Sequence, residues 1–108
     1  MKESRSKVTR SSGNIFADLK LPNPEELELR AKAAFVIAEL INRQGLSQPA
    51  AAIKLGVAQT DVSRIVNGRL DGYSLERLLT LVQRLGNDIM INVKPARNSQ
   101  TGKILMTA

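Results

Sequence analysis

The stretch from Leu46 to Gly68, LSQPAAAIKLGVAQTDVSRIVNG, decides the fold of this chain. It reads as two short helices on either side of a turn. Ser47 is a natural N-cap, because its hydroxyl can accept one of the orphan N–H groups of a first turn. Pro49 then lies where its missing donor costs nothing. The first helix runs to about Leu55 and ends at Gly56, since glycine enters the left-handed backbone without a Cβ clash. A second helix starts near Gln59 and stops at Gly68. Stepped at about 100° per residue, Gln59, Thr60, Ser63, Arg64 and Asn67 share one polar arc. Val62, Ile65 and Val66 take the other side, and the small Ala51 lets the two helices approach closely.

Outward from this pair, the apolar periodicity continues on both sides. Residues 24–44 are helical in pattern: Glu25, Glu28, Lys32, Glu39 and Arg43 fall on one stripe. Leu27, Ala31, Ala34, Ile37, Ala38 and Ile41 are expected on the buried face. Gly45 fits the position after the last turn, with Leu46 supplying the hydrophobic contact beyond it. Downstream, Ser74 caps a further helix whose expected inner face is Leu75, Leu78, Leu79, Val82 and Leu85, and Gly86 closes it. The period then changes. Asp88 to Pro95, DIMINVKP, alternates like a strand, and Lys103 to Thr107 offers a second short run, so a terminal hairpin is expected. Three divisions follow: a basic, flexible tail over 1–13, a helical domain with an N-terminal arm over 14–86, and a β element over 87–108. In the arm, Ile15, Phe16, Leu19 and Leu21 are suited to packing on the domain.

Composition narrows the function. With 108 residues, 43% hydrophobic but only 3% aromatic and no Trp, the core must be built from Leu, Ile, Val and Ala, which favours helices. The absence of His and Cys removes the usual metal sites, Ser-His pairs and thiol nucleophiles. Glu25, Glu26 and Glu28 begin an exposed helix with no evident pocket, and Gly68 and Gly72 are too isolated for a phosphate loop. No enzyme activity, cofactor or metal is therefore expected. No apolar run approaches the roughly 18 residues of a membrane span, and no secretory signal is visible, so a cytoplasmic protein is expected. The net charge of +6 suits a polyanionic partner, because neutralised phosphates release their counterions. Charge alone is also what ordinary solubility asks for.

The central pair carries the rest of the inference. A helix enters the major groove of double-stranded DNA only if it is anchored on one side and polar on the other. That is the layout of a helix-turn-helix. Gln59 can make a bidentate contact to adenine and Arg64 one to guanine, each discriminating by roughly 1–3 kcal/mol. Thr60 can present its methyl to thymine or its hydroxyl to a base edge or phosphate. Ser63, Asn67 and Gln48 are better suited to phosphate oxygens, and Arg69 to following the backbone beyond the helix. Lys54 is near enough in sequence to reach a phosphate, but its direction is open. The competing reading of the five helix residues is a plain solvated face. Asp61 is an awkward neighbour for DNA and reads as a structural residue favouring the helix dipole.

Ser47-Gln48, Ala51, Gly56-Val57, Val62-Ser63-Arg64-Ile65 and Asn67-Gly68 resemble the helix-turn-helix of Xre/Cro-type repressors. The wider run, from Asn14-Ile15-Phe16-Ala17-Asp18-Leu19 through Asn67-Gly68-Arg69-Leu70 to Leu85-Gly86-Asn87-Asp88, is similar to the HigA-type antitoxin branch of that group. The resemblance implies a mainly α, lambda-repressor-like domain, a homodimer, and repression of an operon shared with a ribonuclease toxin. It places Gln48, Gln59, Thr60, Arg64 and Asn67 at DNA. Ala58 departs from the pattern, which often has Ser or Thr there to cap the recognition helix. Such a cap is worth roughly 0.5–2 kcal/mol elsewhere.

Two half-sites read by two copies would need a dimer element, and the strand at Asp88 to Pro95 is a candidate. It can pair with its symmetry mate or with Lys103 to Thr107 of its own chain. A toxin, by contrast, enters through the resemblance only. The rival readings are a stand-alone regulator of the same type and, from another class, a protein-interaction adaptor that does not touch DNA.

Overall fold

The computed structural model describes residues 23–97 and 101–107, and four helices lie within them. They are α1 (Asn23–Arg43), α2 (Gln48–Leu55), α3 (Gln59–Val66) and α4 (Leu75–Arg84). The expected tail over 1–13 and the arm with Ile15, Phe16, Leu19 and Leu21 fall outside the described residues. Helix α1 packs along α4 and also against α3, while α2 packs on α3 and touches α4. One core results, made of Leu29, Ala33, Ala34, Ile37, Ile41, Ala51, Ala52, Leu55, Val62, Ile65, Tyr73, Leu75, Leu78, Leu81, Val82 and Leu85. Aliphatic side chains fill it, with Tyr73 as the one aromatic among them.

The helix ends obey the local chemistry of the sequence. Ser47 Oγ accepts from the Ala50 N–H at 3.2 Å, and Ser74 Oγ accepts from the Arg77 N–H at 3.0 Å. Gly45 has a φ of 66°, and the Leu46 N–H then reaches the Ile41 carbonyl at 3.0 Å, which turns a half-buried Leu46 back onto the core. Glu39 and Arg43, four residues apart on α1, form an ion pair at 3.9 Å, largely in solvent, where it contributes only about tenths of a kcal/mol.

The inner face of α1 is rotated from the expected one. Leu29 and Ala33 are buried, whereas Leu27 and Ala31 are exposed and Ala38 is half-buried. Arg30 supplies the reason. It lies on the inward side of α1 and donates through Nη1 to the carbonyls of Leu70 (3.0 Å) and Tyr73 (2.9 Å), bracing the loop between α3 and α4. With Ala or Leu at many neighbouring positions, apolar periodicity leaves the phase of α1 loose, and this polar anchor sets it. On α4 a smaller shift makes Leu81 a fully buried residue and leaves Leu79 at the margin.

The expected C-terminal β element is not formed. No strand is present among the described residues, and those of 88–97 are exposed. Met90 and Val93 are 89% and 88% exposed. A strand requires a partner for its N–H and C=O groups, and neither face of this alternating stretch lies on the core. The segment 101–107 does attach: the Ile104 N–H donates to Glu25 Oε2 at 3.0 Å, and Ile104 and Met106 pack at the edge of the core.

The turn between α2 and α3 is clamped from a distance. Gly56 sits at φ 73°, ψ 33° and donates to the Ala52 carbonyl at 2.8 Å. Arg84 of α4 donates to the Leu55 carbonyl at 2.7 Å, and a Cβ on Gly56 would stand 3.4 Å from that same Nη1. Gly56→Ala is therefore expected to lower stability by about 1–2 kcal/mol, the left-handed penalty of an L-residue. Urea unfolding checks this; an unchanged midpoint would show that the turn relaxes at no cost.

Candidate nucleic-acid interface

Helix α3 has only eight residues, too few to be stable alone in water. It is held by Val62 and Ile65, each 1% exposed, with Val66 partly buried beside them. That anchoring turns the other side outward. Gln59, Thr60 and Arg64 are exposed and Ser63 is half-buried. Asn67, at the C-terminal end, is exposed too, with its side-chain amide donating to the Ser63 carbonyl at 2.8 Å. Arg69 is exposed just beyond, and Gln48 is half-buried in the first turn of α2. Among the expected residues, then, five form one continuous face on and just after α3, and Arg69 extends it. Lys54 is otherwise engaged, donating to Gln44 Oε1 at 2.8 Å, while Gln44 itself donates to the Leu85 carbonyl at 2.8 Å.

The start of α3 is secured without a side-chain cap. Ala58 has no acceptor to offer, but its own N–H donates to Asp61 Oδ2 at 3.2 Å, which is half of a capping box. The other oxygen of the same carboxylate accepts from the Tyr73 hydroxyl at 2.5 Å. Asp61 is thus the structural residue its sequence position suggested, and it does more than meet the helix dipole. It ties the first turn of α3 to the residue just before α4.

These bonds act on the titration of both groups. The Tyr73 hydroxyl holds the Asp61 carboxyl below its ordinary value; partial burial opposes this, and the Ala58 N–H and the charges of Arg77 and Arg64 add to the lowering. Burial raises Tyr73, and its bond to the Asp61 carboxylate raises it further. Arg64 pulls the other way on Tyr73.

Tyr73, Arg77, Arg84 and Arg30 were not singled out by the sequence. For Tyr73 there was a signal. It precedes the N-cap Ser74 and stands five residues before the N4 residue Leu78, the positions of a hydrophobic staple, and both side chains are buried in the core. Arg30 and Arg84 carried no comparable mark, because their partners are backbone carbonyls 29 to 43 residues away.

Two short helices around a left-handed turn, with the second presenting an anchored polar face, define a helix-turn-helix protein. A family model described as a helix-turn-helix domain matches residues 15–94. A solved structure described as an XRE-family transcriptional regulator superposes with a TM-score of 0.75, at 36% identity, over 81% of this chain and 99% of that one. No curated protein matches the chain. The chain belongs to the XRE-type helix-turn-helix family of DNA-binding regulators. Among its described residues no helix is long and apolar enough to cross a membrane.

The Asp61–Tyr73 bond has a pH signature. A carboxylate depressed in the folded state contributes stability that is present above its ordinary value of 3.8 and is lost as the pH falls through the depressed value. A raised tyrosine contributes stability present below 10.0 and lost as the pH rises through the raised value. Tyr73→Phe is expected to make both limbs of the stability profile shallower. Urea midpoints measured across pH check this, and parallel profiles for wild type and variant would contradict it.

Proposed function

We propose that the protein is a sequence-specific transcriptional repressor that reads double-stranded operator DNA with α3. One observation carries this reading: the outward face of an eight-residue helix is polar and continuous, while Val62 and Ile65 fix its inward face. Gln59, Thr60 and Arg64 are the residues positioned for base edges. Ser63, Asn67, Gln48 and Arg69 are positioned for phosphates and for fixing register. The formal charge of +6 and the XRE-family regulator that shares the fold support the same conclusion. The family works by binding, which agrees with a chain that has no His or Cys.

The repressor is read here as a homodimer, because one such module covers a single half-site. Met90, Ile91, Val93 and Leu105 are strongly exposed apolar side chains that a second copy can cover. Within the family, the likeness of residues 14–19, 67–70 and 85–88 to HigA-type antitoxins favours a repressor that also binds a ribonuclease toxin encoded beside it. A stand-alone regulator is the alternative, and the gene adjoining this one discriminates between them.

Arg64→Ala is expected to weaken operator binding by roughly 1–3 kcal/mol and to relax preference at one base position, with the fold intact. Anisotropy titration against a duplex selected by the wild-type protein tests this, and undiminished binding would remove Arg64 from the role. Truncation after Gly86 is expected to weaken the dimer. Sedimentation showing the same dimer would assign the interface elsewhere.

A further inference from the structure

The polar arc of α3 has a border that α4 approaches. Stepped at about 100° per residue, Asp61 follows Arg64 at the edge of that arc, and Asp61 is where Tyr73 attaches. The Tyr73 ring is 3% exposed, and its hydroxyl is fixed to Asp61. Arg77, in the first turn of α4, is exposed and places its guanidinium carbon 4.9 Å from the centroid of that ring. Among the described residues the one ion pair is Glu39–Arg43, so none of their carboxylates lies at ion-pair distance from Arg77.

We infer that Arg77 is a phosphate-binding residue of the DNA interface, held on the Tyr73 ring beside the Arg64 edge of the recognition helix. A guanidinium stacked on an aromatic face keeps its in-plane N–H donors available for a phosphate oxygen, and the stacking restrains a side chain that would otherwise lose rotamer freedom on binding. Its platform is bonded to the first turn of α3. The cation therefore moves with the recognition helix, rather than independently as a surface lysine would. The ligand chemistry is a phosphodiester of the same duplex, contacted without regard to base. Arg77 thus adds affinity and register to a site whose base preference comes from Gln59 and Arg64. The inference rests on the repressor reading above.

The test uses the full chain, a duplex it selects from a random-sequence pool, and a scrambled duplex of equal length, each titrated across a salt series. One lost phosphate contact lowers the slope of log affinity against log salt by about 0.9. Arg77→Ala is expected to show that reduction and to weaken both duplexes by the same factor. Arg77→Lys should restore the slope. Arg77→Gln, which keeps the stem over the ring, should behave like alanine, and it decides the matter if the alanine variant fails to fold. Unchanged slopes in Arg77→Gln, or a loss confined to the selected duplex, would overturn the assignment of Arg77 while leaving the repressor reading standing. A wild-type chain that binds neither duplex would overturn both.

Discussion

Burial of Val62 and Ile65 is the constraint on which the rest depends. Eight residues cannot sustain a helix by backbone hydrogen bonding, because nucleation costs more than two turns return. Helix α3 exists because these two side chains are fully enclosed, and the same enclosure determines which residues point outward. Moving both apolar residues by one position would turn the helix by about 100° and bury part of the polar face.

The two helices flanking the turn are held by long-range polar contacts as much as by packing. Arg84 grips the Leu55 carbonyl at the end of α2, and Arg30 grips the loop leading from α3 to α4. Both guanidiniums answer backbone carbonyls left open where helices or loops end. Such contacts explain why a strongly basic chain does not present all its cations to a partner. Part of the positive charge is structural, and the exposed remainder on α3 and α4 is what a polyanion would meet.

Asp61 shows how one side chain can compensate for a missing one. Ala58 cannot cap α3, yet Asp61 satisfies the Ala58 N–H and anchors the Tyr73 hydroxyl with its second oxygen. Helix α3 is thereby connected to the start of α4 at its N-terminal end, the end nearest Gln59 and Thr60. A residue on the border of the polar arc thus steadies the turn that carries its first members.

The sequence by itself determined the boundaries of α2, α3 and α4, the caps at Ser47 and Ser74, the turn at Gly56 and the composition of the polar arc. Each of these is a local consequence of side-chain chemistry at short spacing, and so was legible. The tertiary structure alone decided the phase of α1, the capture of carbonyls by Arg30 and Arg84, and the joining of Asp61 to Tyr73. It also decided that the alternating residues 88–95 lie exposed without a ladder. These features depend on contacts between segments far apart in the chain. An apolar alternation specifies a strand only when a partner backbone stands beside it, and a rotating stripe of small aliphatic residues specifies a face only when a neighbour selects one.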